Sequence, residues 1–502
     1  MHKHIVMALA LASAAISPSI WMPQLASARQ TRAHVPTTKS SAYGTPNTTN
    51  PAMLDAWLNR ADLKNSRIAV ELMSLPGGKT VFEHAGNRRA TPASTTKVLT
   101  TACAYDLLGP SYQFPTRLAY EGTISNGVLH GDLLVISSQD PTLTREQLRK
   151  LFKDGLDNQG NRITKIEGKV LMIMPPEGRE HYQMSWLAED FGQEWMPVSS
   201  SLVLDKNMIF ASQIPRHLHV KDEIAANNAL LDNVLSSGLA ASFASLNPET
   251  NTVSVYRGGV IGKSGQVEDR VKKDGPFVIA NPDNFGLAIL QQIMSDEKVT
   301  HNGVQLSFKQ IPDGSAKQLA ECLSRPLSQI IKICLYESDN LYAQQLLRAI
   351  GNLNQLNKSN VDQAKRRLAS GSTLEEKGLS RLGAWLTSIG VPAKEVILFD
   401  GCGLSRKNSL TPHALNTVLK HMAGPNVDGP YLALLRTQGD TAYYRFKTGA
   451  MDTVRGISGV LKNNQGHYYA LSILVNGHTP SVKDVRIALS DLIERVRHTD
   501  LR

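Results

Sequence analysis

The sequence predicts an α/β (α+β) protein: a domain of antiparallel sheet and helices, interrupted by a large β-rich insert of one or two smaller domains. Three observations carry that expectation. A hairpin and a helix-forming stretch occupy residues 67–108. Short alternating runs of strand type fill residues 112–283, a plausible domain size in itself. Helices then resume, and the chain closes on a β-meander and an amphipathic helix. Length agrees, since 502 residues exceed what one ordinary core organises. A composition 41% hydrophobic and 20% charged is enough to build several cores.

In chain order, residues 1–28 read as an export signal. Met1-His2-Lys3-His4 supplies a positive start, Ile5 to Ile16 an apolar run, and Ala26-Ser27-Ala28 a small-x-small cleavage site. A membrane anchor is the alternative, but the run is short and Pro18 breaks it. No later stretch is long and apolar enough to span a bilayer. Residues 29–50 are polar, rich in Thr and Ser and without periodicity, as in a flexible leader.

Residues 51–111 form the first part of the interrupted domain. A helix is expected around Ala52 to Leu63. The strands Arg67–Leu72 and Thr80–Glu83 are joined through Pro76-Gly77-Gly78. Gly78-Lys79-Thr80 is not a phosphate loop, because the partner glycine position holds Met73. The Ser94 helix follows, with Val98, Leu99, Ala102 and Leu108 among its apolar positions, and Gly109-Pro110 stops it. In the insert, 112–283, strands are expected at Thr116–Tyr120, Gly131–Ile136, Lys169–Ile173, Thr252–Tyr256 and Gly275–Ile279, with a helix at Arg145–Phe152. The second part, 284–502, has helices at Asn284–Met294, Leu327–Leu335, Leu341–Ile350 and Leu374–Ile389. Two overlapping capping boxes, Ser372-x-x-Glu375 and Thr373-x-x-Glu376, open the last of these. The meander comprises Tyr443–Lys447, Val454–Leu461 and Tyr468–Val475. The closing helix, Val482–Val496, mixes both charge signs on its polar face, as a core helix does rather than a membrane-surface anchor.

The net charge of +10 admits nucleic acid, an anionic membrane surface or an anionic wall polymer as partners. There is no basic-aromatic array of the nucleic-acid-binding kind, and export argues against that partner, which favours the wall polymer. The four cysteines, Cys103, Cys322, Cys334 and Cys402, are too few for a disulfide framework. Small buried thiols and a bridge both remain open, with Cys103 on the Ser94 helix. No metal or other cofactor is expected: His217-Leu218-His219 is a pair without a third ligand. A homodimer is left open beside a monomer.

Three motifs carry the chemistry. In Ser94-x-x-Lys97, residues three apart share a helix face, so a hydroxyl and an amine meet. A partly desolvated lysine can take the serine proton and make it a nucleophile. Ser338-Asp339-Asn340 offers a second hydroxyl to relay a proton and an amide to donate to a substrate carbonyl. Read alone, Asn340 is better explained as a helix-start residue. Lys447-Thr448-Gly449 ends an alternating strand. It offers positive potential and a hydroxyl for a substrate carboxylate, and a glycine that lets a substrate backbone approach. Read alone, it is a turn after a strand. Together and in this order, the three are the signature of penicillin-binding proteins and class A β-lactamases.

The chain resembles the penicillin-binding protein 4 type D-alanyl-D-alanine carboxypeptidase/endopeptidases over nearly all of its length after the signal. The resemblance lies in Pro92-Ala93-Ser94-Thr95-Thr96-Lys97, Gly131-Asp132-Leu133, Asp140-Pro141-Thr142-Leu143, Ser338-Asp339-Asn340-Leu341-Tyr342-Ala343 and Asp400-Gly401-Cys402-Gly403-Leu404-Ser405-Arg406, and in the large insert. It implies a transpeptidase-like α/β domain with a second domain inserted in it and a third inserted in the second, peptidoglycan peptides as substrate and β-lactams as inhibitors, while the cleavable export signal makes a periplasmic location the expectation. By the same resemblance Ser94 forms the acyl-enzyme with the penultimate D-Ala and Lys97 is the base. Ser338 and Asn340 line the cleft, and Lys447 and Thr448 hold the terminal carboxylate beside Gly449. The backbone amides of Ser94 and Ala450 form the oxyanion hole. Asp190 matches the acidic insert residue that binds a diaminopimelate amino group, and Arg406 lines the pocket. Two departures stand out. Cys402 replaces the first serine of the family's Gly-Ser-Gly-Leu-Ser-Arg, which implies an extra thiol near the site, and the tryptophan-rich stretch before Pro197 is thinned.

Two other functions compete. A β-lactamase needs a glutamate that positions a deacylating water. Glu376-x-x-Leu379-Ser380 comes near that pattern, but Glu376 is better explained by its capping box, and the large insert argues against the reading. A non-catalytic wall-binding protein of the same fold is opposed by the intact motifs.

Overall fold

The computed structural model describes residues 52–158, 161–175, 181–187, 190, 193–196 and 198–209, strand backbones within 219–279, and residues 281–311, 314–353, 372–439, 443–479, 481–499 and 501. The expected export signal and leader, 1–50, lie outside the described residues. So do His217 and Leu218 and the side chain of His219.

Both ends of the described chain build one antiparallel sheet. Its six strands run in the order Thr80–His84, Arg67–Leu75, Tyr468–Asn476, Val454–Lys462, Tyr444–Met451, Arg436–Gln438. One face is covered by the first and last helices, Ala52–Leu58 and Val482–His498, over a core that includes Trp57, Phe82, Ile473 and Leu492. The Trp57 indole donates to the Ala488 carbonyl at 2.7 Å and ties those two helices together. The other face meets the helix Thr96–Leu108. That helix is buried over most of its length, which its nearly continuous run of apolar residues and threonines requires. Helices Leu327–Glu337, Asn340–Asn352, Leu374–Ser388 and Pro412–Ala423 pack around it in the largest core cluster.

The insert has its own core, with Val135, Phe152, Val170, Phe285 and Ile289 among its members. Its mixed five-stranded sheet runs Val304–Ser307, Val170–Ile173, Leu133–Ile136, Pro115–Tyr120, Lys317–Leu323. Leu133–Ile136 and Val170–Ile173 are parallel, linked through the helix Arg145–Leu156, which a Thr144/Gln147 capping box starts. A second sheet holds Met208–Ile209, Phe277–Ile279, Phe243–Asn247, Thr252–Arg257 and His219–Ile224.

Several expectations need adjusting. The sequence closes the insert at 283, but its sheet takes in 304–307 and 317–323, and the helix Pro282–Asp296 lies in its core. Lys317–Leu323 is a half-exposed edge strand, so its apolar alternation is weak and escapes a sequence reading. Only the second expected capping box forms: Thr373 Oγ1 accepts from the Glu376 amide and Glu376 Oε2 from the Thr373 amide. Glu375 is instead buried against Arg348 at 2.5 Å. The strand expected to end at Lys447 continues to Met451, so Lys447-Thr448-Gly449 is not a turn. All four cysteines are free thiols.

Candidate active site

Ser94 sits in a single 3-10 turn, Ala93–Thr95, that leads into the helix Thr96–Leu108. Ala93 before it is left-handed (φ 48°), a conformation that costs a non-glycine residue energy and holds only where the surroundings impose it. Those surroundings are visible. The Thr95 and Thr96 hydroxyls bond back to the carbonyls of Pro92 and Ala93 at 2.7 and 2.8 Å. Two glycines press on the turn. A Cβ on Gly403 would collide with the Ala93 carbonyl, and one on Gly449 would lie 2.6 Å from the Pro92 oxygen and 3.0 Å from the Ser94 nitrogen.

One helical turn on, Lys97 is fully buried. Its Nζ lies 3.0 Å from Ser94 Oγ, 2.6 Å from Asn340 Oδ1 and 2.7 Å from the Cys402 carbonyl. Ser338-Asp339-Asn340 is the elbow between two helices. Ser338 ends the first in a left-handed conformation (φ 58°), and the Asp339 carboxylate caps the second by accepting from the Tyr342 amide at 3.0 Å. Asp339 is therefore the cap, and Asn340 is free to turn its Oδ1 toward Lys97. The Asn340 amide nitrogen donates to the Trp195 carbonyl at 2.5 Å, so the group expected to meet a substrate carbonyl is engaged by the insert.

Lys447 is 1% exposed and donates to Ser338 Oγ at 2.8 Å and to the Thr448 carbonyl at 2.7 Å. Burial, helped by the positive charge of Lys97, pulls its ammonium down to about 7. Along the strand, Lys447 and Gly449 are buried while Thr448 and Ala450 are exposed. The outer strand Arg436–Gln438 pairs only as far as Phe446, so the edge from Lys447 to Met451 has no strand partner on that side among the described residues.

The loop after Asp400 was recognised in the sequence but its work was not. Asp400 is completely buried. Its carboxylate accepts from the Gly403 amide (2.7 Å), the Ser405 amide (2.6 Å), Asn408 Nδ2 (2.8 Å) and the Trp186 indole (2.8 Å). Four donors neutralise what would otherwise be a costly buried charge. They also fix the loop whose Cys402 carbonyl holds Lys97. The Cys402 thiol does not reach the cleft: it is buried, and desolvation pushes its proton affinity well up. The only local signal was an acid just ahead of a glycine-rich loop.

Of the outlying expectations, Asp190 is connected and Arg406 is not. Asp190 Oδ1 accepts from the Trp195 indole at 3.4 Å, and the Trp195 carbonyl is the one that meets Asn340. Arg406 projects into solvent from the Asp400 loop. A cavity of about 360 Å³ opens beside Ser338 and Asn340, lined also by Trp195, Met196 and Lys206. Among the described residues no His, Cys, Asp and Glu cluster has the makings of a metal site. Glu376, the residue a β-lactamase reading would need, is occupied in its capping box.

A mixed α/β fold with a serine, a buried lysine, an asparagine and a second serine–lysine pair at a sheet edge is that of a serine acyl-transfer enzyme. The chain belongs to the D-Ala-D-Ala carboxypeptidase 3 (S13) family, whose model matches residues 51–496. It is 25% identical to the D-alanyl-D-alanine carboxypeptidase DacB of Haemophilus influenzae, over 87% of this chain and 90% of that one. It is 24% identical to a D-alanyl-D-alanine carboxypeptidase of an Actinomadura species, over 85% and 80%. The crystal structure of penicillin binding protein 4 from H. influenzae superposes with a TM-score of 0.70 at 21% identity, covering 89% of this chain and 99% of that one. That protein has also been solved with a β-lactam. As a member of the family, the chain is a hydrolase of the serine DD-peptidase type.

Proposed function

We propose that the protein cleaves the D-Ala-D-Ala bond of peptidoglycan stem peptides, as a carboxypeptidase, an endopeptidase or both, through an acyl-enzyme on Ser94. The observation that carries this is the coordination of Lys97. Asn340 Oδ1 and the Cys402 carbonyl each take one N–H, which leaves the remaining direction of the nitrogen aimed at Ser94 Oγ, 3.0 Å away. To act as base Lys97 must first give up its proton, and its lone pair then lies in that direction. It removes the hydroxyl proton as Oγ bonds to the carbonyl carbon of the penultimate D-Ala. The amides of Ser94 and Ala450 receive the oxyanion; losing one such donor typically costs ~10²–10³ in rate. The C–N bond then breaks as the proton taken by Lys97 is delivered to the leaving amine, relayed through Ser338 Oγ, which leaves Ser338 a hydroxyl and Lys97 a free amine again. Water, deprotonated in the same way, releases the product. Lys447 and Thr448 hold the terminal carboxylate, and Gly449 lets the substrate backbone lie along the unpaired strand edge.

The positive start around Lys3, the apolar run and Ala26-Ser27-Ala28 support export to the periplasm, where this substrate lies. No helix among the described residues is long and apolar enough to cross a membrane. β-Lactams, whose ring presents an acylating carbonyl beside a carboxylate, would acylate the same serine.

Ser94→Ala should abolish covalent labelling by a fluorescent penicillin and release of D-Ala, with Tm unchanged. A labelled Ser94→Ala protein overturns the assignment. Slow loss of label from the wild type supports the peptidase, whereas rapid turnover would point to a β-lactamase. Asp190 is proposed to bind the amino group of the diaminopimelate side chain. Asp190→Ala should then weaken cleavage of diaminopimelate peptides more than of a simple diacyl-D-Ala-D-Ala. Equal loss on both removes Asp190 from that role.

A further inference from the structure

The insert reaches the Ser-Asp-Asn elbow with a lysine. Lys206 Nζ lies 2.8 Å from Asp339 Oδ2 and 5.0 Å from the centre of the Tyr342 ring. Its backbone is an outlier. Asp205, Lys206 and Asn207 are three successive left-handed residues, with φ of 49°, 61° and 53°. Left-handed helical backbone is costly for an L-residue, because its Cβ crowds the following carbonyl oxygen. Asp and Asn tolerate it best, and a lysine has no such allowance.

The turn is held against that cost from several sides. The Asp205 amide donates to the Leu143 carbonyl at 3.0 Å, and its carboxylate pairs with Arg145. Asn207 Nδ2 donates to the Val198 carbonyl at 2.7 Å, and its Oδ1 accepts from the Leu204 amide at 3.2 Å. A segment over-determined in a costly conformation, with a charged side chain at its centre directed into the cleft wall, points to a role for that side chain.

We propose that Lys206 is a positioning residue for the reaction. It fixes the Asp339 carboxylate, and Asp339 in turn sets the elbow that presents Ser338 Oγ to Lys447 on one side and Asn340 Oδ1 to Lys97 on the other. Asp339 has two oxygens with separate duties: Oδ1 caps the helix, and Oδ2 belongs to Lys206. The cap fixes the helix start, whereas the lysine fixes the rotation of the carboxylate and so the elbow's place in the cleft. The insert thereby forms part of the machinery that aligns the amine acting on Ser94.

The inference rests on Ser94 being the acylated residue, and the experiment separates the two. Acylation by benzylpenicillin is followed for the wild type, Lys206→Met, Lys206→Arg, Asp339→Asn and the Lys206→Met/Asp339→Asn double variant. Methionine keeps the unbranched stem and removes the ammonium from both Asp339 and the Tyr342 ring, and asparagine keeps the helix cap. Lys206→Met should lower the saturating acylation rate about tenfold with little change in the half-saturating concentration. Lys206→Arg should recover most of it. Asp339→Asn should lose a similar factor, and the double variant should be no worse than either single one. A wild type that is never acylated removes the Ser94 reading. An acylated wild type with an unaffected Lys206→Met, single losses that multiply in the double variant, or a change confined to half-saturation removes this proposal alone.

Discussion

Lys447 is the residue at which solution pH should speak most directly. Burial and the neighbouring Lys97 charge bring its ammonium to about 7, against 10.5 for an unperturbed lysine. Its charge is therefore full in mild acid and fades as pH climbs through 7. If it holds the terminal carboxylate, KM for a peptide with a free C-terminus should rise across that interval. KM for the corresponding methyl ester, which offers no charge, should stay flat. Parallel profiles for the two would dissociate Lys447 from the carboxylate. The stability sign is also fixed. Between about 7 and 10.5 the unfolded chain holds the extra proton, so this group makes the fold more stable as pH rises, while below 7 its full penalty is present. The role of Lys447 as a charge could be read from its motif. Its low proton affinity could not, because that comes from burial beside a second lysine 350 positions away in the chain.

At the level of elements, the site depends on how closely a strand approaches a turn. The strand Tyr444–Met451 packs on the Ala93–Thr95 turn at Gly449, where a methyl group would stand 2.6 Å from one backbone oxygen and 2.9 Å from the Thr95 nitrogen. Backbone cannot yield as a flexible side chain does, so Gly449→Ala must push the strand outward. We expect a stability loss of about 1–3 kcal/mol and an acylation rate down by roughly 10² or more, since the shift would carry away the Ala450 amide, the proposed oxyanion donor. Thermal melting and penicillin labelling read the two effects. A Gly449→Ala protein that acylates at the wild-type rate would show that the strand does not set the oxyanion position. The sequence reads this glycine as room for substrate, whereas in the structure the crowding is against the protein's own turn. It also ended the strand too early, because Lys447 and Gly449 face inward and look like a turn when only their residue types are weighed.

Among the described residues, the molecule is a domain interrupted by an insert that bonds back onto it. The sequence made this arrangement legible through texture: helix, then β-rich block, then helix, with the chemical motifs on both sides of the block. Where the insert ends was not legible, because Lys317–Leu323 is an edge strand without a buried apolar face. How the insert grips was not legible either, since Trp186 and Asp400 are 214 residues apart and their bond appears only in three dimensions. Trp186 is nearly buried, and its indole is one of the four donors on the Asp400 carboxylate. That carboxylate orders the loop whose Cys402 carbonyl holds Lys97. Trp186→Phe keeps an aromatic ring in the pocket and deletes only the donor. A hydrogen bond to a charged group is worth about 1.5–3 kcal/mol, so Tm should fall by a few degrees. If the loop transmits the loss to the Cys402 carbonyl, penicillin acylation should slow several-fold, and release of D-Ala from a peptide should slow by a similar factor, because both reactions need the same lysine. A lower Tm with unchanged acylation would mean that the insert is attached at this point without influencing the chemistry, and the loop would then be held well enough by Gly403, Ser405 and Asn408 alone.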